Sequence, residues 1–470
     1  MAESGITYDY NNLMSERLGS ADHGVTEAEL NALAPLAARY AGEIAEERKA
    51  GKLAFMDLPG KKDVADEVRR VAADLRSRFE NFVVLGIGGS ALGCKALFTA
   101  LTHPFHNLLH RNRRGAPRLF VMDNVDPDQF SLFLETFDPA TTVFNVISKS
   151  GNTVETAAQY LIIRDMLMER IGPGYHEHIV ITTDPEKGPL RGVAKSQGYR
   201  TLEVPPGVGG RFTALTPVGL LAAAVVNIDI NALLAGAAAM DQRTRTDDLR
   251  RNPALLNAAI HHLLDAKKGK HISVMMPYSS ALWDTADWYR QLWAESLGKK
   301  FSLDGRVVHV GQTPVKALGT TDQHSQVQLY AEGPADKVFT FLAVGEFERT
   351  LMIPKEMKNV EGIGYLAGHT VNKLMDAERQ GTEIALTEAG RPNCTITLPR
   401  VSAHTVGQLL YMYEVQTAFA GKFYQVNPFD QPGVEAGKVA AFALLGREGY
   451  EKRRAEIEAR SKKSEDHILR

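Results

Sequence analysis

Between residues 79 and 240, short apolar runs alternate with longer amphipathic stretches. The runs at 82–85, 118–122, 143–147, 178–182 and 200–204 are rich in β-branched and aromatic residues and only lightly interrupted by polar ones. That pattern fits strands covered on both faces. Helical spacing fills the intervals 94–101, 129–137 and 153–171. A second series follows, with helical patterns at 253–268, 281–297, onward from 365, and at 404–419, and strand patterns at 271–276, 307–310, 338–344 and 395–398. Strands alternating with helices predict an α/β fold with parallel sheets flanked by helices. The expected division is a helical extension over 1–78, two α/β domains over 79–240 and 241–440, and a C-terminal helix or tail over 441–470. The charged interval 241–251, DQRTRTDDLRR, reads as a solvated helix face where the chain crosses between them.

At 470 residues the chain exceeds one ordinary core, and a 44% hydrophobic fraction suffices for two. The 54 basic and 56 acidic residues nearly cancel, to a net charge of −2, so no footprint for nucleic acid or an acidic membrane is present. An anionic ligand would need local positive charge. The two cysteines, Cys94 and Cys394, do not suggest a disulfide framework, which fits a reducing, cytoplasmic setting. The start of the chain lacks a signal-peptide pattern, and the most apolar stretch, 215–230, is broken by Pro217, Asn227 and Asp229. It is expected to be a buried helix rather than a membrane span.

Several stretches can carry chemistry. The run SKSGNT ends a strand and opens a helix, where free N–H groups and the positive end of the dipole attract phosphate. Ser148, Ser150 and Thr153 add hydroxyls, Lys149 a charge, and Gly151 a close backbone approach; the plain alternative is a capped helix start. GIGGSALG brings Gly88, Gly89 and Ser90 to a second turn. It also fits a loose dinucleotide fingerprint through Gly86, Gly88 and Ala91, but Asp123 lies beyond the spacing that a ribose-binding acid requires. Arg211, between Gly210 and an apolar stretch, must meet an ion-pair partner or an anionic ligand if buried. Gln291 and Glu295 stand i and i+4 on one helix face. Glu295 occupies the last turn, where the dipole disfavours a carboxylate and a general base is suited. His324 sits in GTTDQH and Lys438 at a helix start after DQPG. The trio His103, His106 and His110 has no carboxylate or cysteine partner at ligand spacing, so no metal is expected.

In this order, GIGGS, SKSGNTVET, GGRFT, QxxxESLGK, GTTDQH and DQPGVEAGK resemble the glucose-6-phosphate isomerase family, over about 82–438. The resemblance implies two sugar-isomerase (SIS) domains and conversion of glucose 6-phosphate to fructose 6-phosphate through ring opening and an enediol, without a cofactor. It implies a phosphate loop at Ser148, Lys149, Ser150 and Thr153, and substrate contacts at Gly88, Gly89, Ser90 and Gln291. Glu295 would be the base, Arg211 the group that stabilises the enediolate, and His324 and Lys438 the groups that open the ring. A homodimer with His324 supplied across the interface is implied as well. Thr213 stands where many members have Ser, and the S-K-S-G-x-T loop and shorter chain mark a branch expected to lack dimer-locking arms. A non-catalytic sugar-phosphate sensor would need the phosphate loop but not Glu295, His324 and Lys438.

Overall fold

The computed structural model describes residues 5–461 and 463–470. Two five-stranded sheets dominate it. The first has the spatial order Arg118–Met122, Asn81–Leu85, Thr142–Ser148, Ile179–Thr183, Arg200–Glu203, and every pairing is parallel. Its three central strands are buried along their whole length, which explains their largely apolar character.

The second sheet runs Thr7–Asp9, Asn393–Leu398, Lys337–Val344, Ile272–Pro277, Thr313–Lys316. Here the structure departs from the sequence reading. The helical expectation over 1–78 overlooks Thr7–Asp9, a strand that pairs antiparallel with Asn393–Leu398. Val307–Val310 is a strand, but it forms a separate antiparallel pair with Lys299–Phe301. The parallel edge position is taken by Thr313–Lys316, whose Pro314 is tolerated at an edge. The helix expected from 365 begins at Val371 and ends at Glu388.

The helix Ala403–Tyr424 is buried on all sides over most of its length, polar residues such as Gln408, Glu414 and Gln416 included. It crosses the helix Ile230–Thr244 at unusually short range. A Cβ placed on Gly236 would stand 1.8 Å from the His404 carbonyl oxygen, and one on Gly407 would stand 2.0 Å from that of Leu233. Neither backbone can yield without moving its helix. Gly236→Ala is therefore expected to cost about 1–3 kcal/mol of stability, read as a lower midpoint of urea unfolding. A midpoint equal to that of the parent would contradict this packing.

The charged interval 241–251 is not simply a solvated face. Asp241 is buried, accepts from Arg48 Nη1 at 2.5 Å and Tyr411 Oη at 2.6 Å, and pairs with Arg245 at 2.6 Å. Burial opposes its charge, but these hydrogen bonds hold its carboxyl below the ordinary value. The stretch 215–230 is buried as expected and splits into the helix Pro217–Val225 and the start of Ile230–Thr244. No described helix is long and apolar enough to cross a membrane.

Candidate active site

Asn81–Leu85 and Thr142–Ser148 are neighbours in the first sheet, so the loops that follow them leave the same edge side by side. In this sheet the chain runs from Asn81–Leu85 to one neighbour and then returns to the other. The crevice at the C-terminal ends of these two strands is where ligands of such sheets bind.

The phosphate-loop candidates form a compact turn. Ser148 Oγ lies 2.9 Å from Thr153 Oγ1 and accepts from the Gly151 N–H at 3.1 Å. Gly151 has φ +72°, and a Cβ there would meet the Leu190 amide nitrogen at 2.9 Å, so the turn closes only with glycine. Thr153 occupies the cap position of the helix Val154–Ile171 without bonding its first turn. The N–H groups of that turn are left for a ligand. Lys149, expected to meet a phosphate, also reaches the neighbouring segment: its Nζ donates to the Val208 carbonyl at 2.6 Å. Burial lowers its pKa. In this arrangement Lys149 fastens the phosphate loop to the 207–213 segment.

That segment packs against the glycine turn. A Cβ on Gly89 would fall 2.1 Å from the Gly210 carbonyl oxygen, and Thr213 Oγ1 donates to the Gly89 carbonyl at 3.1 Å. Glycine at 89 lets the two backbones touch. Gly88 abuts Gln291, whose Nε2 would lie 2.9 Å from an added Cβ. Ser90 ends the short 3-10 turn Gly88–Ser90 and makes no side-chain cap.

Gln291 and Glu295 lie on the helix Trp283–Leu297, and Gln291 Nε2 donates to Glu295 Oε1 at 3.2 Å. Glu295 remains one-third exposed on its side chain, whereas Arg211 is 2% exposed. Arg211 Nη1 stands 3.5 Å from Glu295 Oε2, so the burial expected of this arginine is matched by an ion pair. The guanidinium also donates to Ser296 Oγ at 2.6 Å, to Gln431 Oε1 at 3.1 Å, and to the Pro428 and Asp430 carbonyls at 2.5 and 2.9 Å. Burial pulls its pKa down, while Glu295 and Asp430 oppose that fall. It stays a cation.

Three members of this cluster lie within the motifs read from the sequence without having been singled out. They are Gln431, Ser296 and Lys299. Lys299 Nζ donates to the carbonyls of Glu295, Ser296 and Asp430 at 2.6, 3.0 and 2.9 Å. It caps the negative end of the Glu295 helix and joins it to the 427–431 loop. Burial lowers its pKa, and Arg211 adds to the effect.

His324 and Lys438 stand outside this hydrogen-bond network. His324 is exposed at the end of the turn Thr321–His324, and Lys438 lies on the helix Glu435–Leu444, paired with Glu435 at 2.8 Å. Asp123 is held by Lys95 at 3.0 Å. The histidines of the 103–110 segment have separate protein partners: His106 meets the Pro117 carbonyl, His110 the Asn112 side chain, and His103 Nδ1 accepts from the Phe105 N–H.

The candidate phosphate loop thus leaves the sheet beside the glycine turn, and a carboxylate and a buried guanidinium face each other at that turn. The arrangement can anchor a phosphorylated ligand and move a proton on it while charge develops on an adjacent oxygen. The comparisons agree with such a ligand. The family model described as phosphoglucose isomerase matches residues 62–462. Glucose-6-phosphate isomerase of Carboxydothermus hydrogenoformans is 48% identical over 460 residues, covering 96% of this chain and 97% of that protein. The enzyme of the same name from Rubrobacter xylanophilus is 48% identical over 447 residues, covering 95% and 99%. Among solved structures, a hypothetical protein of Thermus thermophilus superposes with a TM-score of 0.83 at 37% identity, covering 94% of this chain and 100% of that one. A glucose-6-phosphate isomerase of Chlamydia trachomatis gives 0.71 at 26% identity, covering 82% and 73%.

Proposed function

Because the chain belongs to the phosphoglucose isomerase family and interconverts glucose 6-phosphate and fructose 6-phosphate, we propose that Glu295 and Arg211 perform the carbon chemistry of that reaction. The observation that carries this assignment is the facing pair itself, a carboxylate and an immobilised guanidinium 3.5 Å apart against the glycine turn. In the open-chain aldose, the C2–H bond breaks toward the Glu295 carboxylate. The electron pair forms the C1–C2 double bond, and the carbonyl oxygen on C1 takes the negative charge. Arg211 offsets that charge and has no proton to give away, so it does not compete with the transfer. Glu295 then returns the proton to C1 as the carbonyl forms at C2 and the proton of the C2 hydroxyl passes to the C1 oxygen, which yields the ketose. Ser148, Ser150, Thr153 and the start of Val154–Ile171 hold the phosphate, with Lys149 bracing the loop. Gly88, Gly89, Ser90 and Gln291 line the sugar, and Gln431 joins them through Arg211.

Ring opening needs an acid and a base at the ring oxygen and the anomeric hydroxyl, and His324 and Lys438 suit these roles chemically. Both lie outside the network of a single chain, which supports a homodimer in which His324 reaches the partner's site. The 352–365 stretch supports it further, since Met352, Met357, Ile363 and Tyr365 are each more than half exposed.

A coupled assay from fructose 6-phosphate through glucose-6-phosphate dehydrogenase and NADP tests the activity, and subunit mixing tests the dimer. His324→Gln and Glu295→Gln proteins are each expected to be slow alone with fructose 6-phosphate. Refolded together from denaturant, they are expected to recover roughly a quarter of the parental rate, because some mixed dimers contain one intact site. No recovery at any mixing ratio would refute supply of His324 in trans.

Lys299→Met should lower kcat by about ten-fold with KM changed less than about two-fold. The residue fixes the base and the 427–431 loop rather than the substrate phosphate, and one charge-assisted hydrogen bond is worth roughly 1.5–3 kcal/mol. Lys299→Arg should recover part of the loss. A KM effect without a kcat effect would count against the positioning role.

A further inference from the structure

The second sheet repeats the strand order of the first. Arg118–Met122, Asn81–Leu85, Thr142–Ser148 and Ile179–Thr183 lie side by side in one, and Thr313–Lys316, Ile272–Pro277, Lys337–Val344 and Asn393–Leu398 lie side by side in the other. In both, the earliest parallel strand leads through a short turn to a helix, Leu92–Leu101 or Trp283–Leu297. The crevice that holds the catalytic loops in the first sheet therefore has a topological counterpart in the second, at the C-terminal ends of Ile272–Pro277 and Lys337–Val344.

At that counterpart the structure has a cleft of about 940 Å³, within the range of organic-ligand sites. It is bounded by the turn at Ser279 and Ala281, by the segment after Lys337–Val344, and by the end of Leu92–Leu101 from the other half. None of residues 86–93, 148–153, 211, 291 and 295 lines it, so it is separate from the catalytic crevice.

Three long helices start on its wall. Asp229 caps Ile230–Thr244, while Val371–Glu388 and Ala403–Tyr424 begin at lining residues. Their N-terminal ends favour negative charge. An independent feature points the same way. Ser279 is 6% exposed and lines the cleft, yet its hydroxyl has no hydrogen-bond partner among the described residues. Its oxygen opens to the cleft, where it can bond a ligand.

The acidic residues present do not oppose an anion strongly. The Asp229 carboxylate accepts from the Asn231 and Ala232 N–H groups of its own helix, at 2.9 and 3.0 Å. Glu346 is paired with Arg400. At the mouth, exposed Glu348 is next to exposed Arg349. The rest of the wall mixes polar residues, among them Thr99, His103, Asn227 and Asn372, with apolar ones that include Phe105, Phe347 and Met375.

We propose that this cleft is a second ligand site, which takes an organic anion with an apolar body. A carboxylate, sulfonate or phosphate-ester head would lie against Ser279 and the helix starts, and the body against Phe105, Phe347 and Met375.

The test is a fluorescence titration of the full-length protein with 8-anilinonaphthalene-1-sulfonate, an aromatic sulfonate of this class. The expected result is saturable binding of one equivalent per chain that excess fructose 6-phosphate does not displace. Ala403→Trp, which fills the cleft, should weaken it at least ten-fold and leave the isomerase rate unchanged. Ser279→Ala, which removes the hydroxyl and adds no bulk, should weaken it about ten-fold, the effect of one hydrogen bond to a charged group, and decides the matter if the tryptophan variant does not fold. Displacement by fructose 6-phosphate, binding unchanged in the folded variants, or no saturable binding to the parent would overturn the proposal.

Discussion

Glu295→Gln is expected to lower kcat by roughly 100-fold to 10,000-fold, the contribution of a positioned general base. The amide keeps the size of the side chain and can still accept from Gln291 Nε2, which stands 3.2 Å from Glu295 Oε1. It cannot take a proton from carbon. The proposed phosphate cradle belongs to different loops, built on the Ser148–Thr153 contact and the start of Val154–Ile171. Binding of fructose 6-phosphate, measured by calorimetry, should therefore change less than about three-fold, well under the roughly 1.4 kcal/mol that corresponds to a ten-fold change. A variant that loses binding and turnover together would place Glu295 among the phosphate-holding groups instead.

Arg211→Met is expected to affect rate and stability at once. Loss of a preorganised donor to a developing oxyanion costs roughly 100-fold to 1,000-fold in kcat. The guanidinium also satisfies the Pro428 and Asp430 carbonyls and bonds Ser296 Oγ and Gln431 Oε1. The Asp430 carbonyl keeps Lys299 as a donor, but the Pro428 carbonyl loses its own, and a buried acceptor left without a donor costs about 1–3 kcal/mol. A net loss on the order of 3 kcal/mol in urea unfolding is expected. Arg211→Lys should restore only part of either quantity, because a single ammonium cannot span the positions that the planar fork reaches. Full activity in the lysine variant would mean that charge alone, and not the fork geometry, is used. Arg211 is thus as much a clamp between the 427–431 loop and the Glu295 helix as a partner of the developing charge.

The parts of this site that follow local rules were legible in the sequence. The i, i+4 spacing of Gln291 and Glu295 places them on one face, and the structure has them in contact. Strands ending in GIGGS and SKSGNT end at the same sheet edge. What could not be read depends on partners far away in the chain. Asp241 reads as solvated because its neighbours are charged, but its burial is made possible by Arg48, 193 residues earlier. Gln431 lies in a polar loop like many others until Arg211, 220 residues away, is set beside it. Thr7–Asp9 is three residues long with no apolar run, and only the edge of Asn393–Leu398 makes it a strand. Lys149 reads as a loop cation, and the hydrogen bond it donates to the Val208 carbonyl, 59 residues on, is invisible in its neighbours. Periodicity and turn chemistry specify elements and their order, whereas contacts between distant segments decide which polar side chains share a site.

The central claim is that Glu295 carries the proton between C2 and C1. The most direct measurement is proton NMR of glucose 6-phosphate and fructose 6-phosphate incubated in deuterium oxide with the parent protein and with Glu295→Gln. The account predicts deuterium at C2 of the aldose and C1 of the ketose with the parent, and loss of that exchange by roughly the same 100-fold or more that turnover falls in the variant. Exchange at the parental rate in Glu295→Gln would contradict it and require another base.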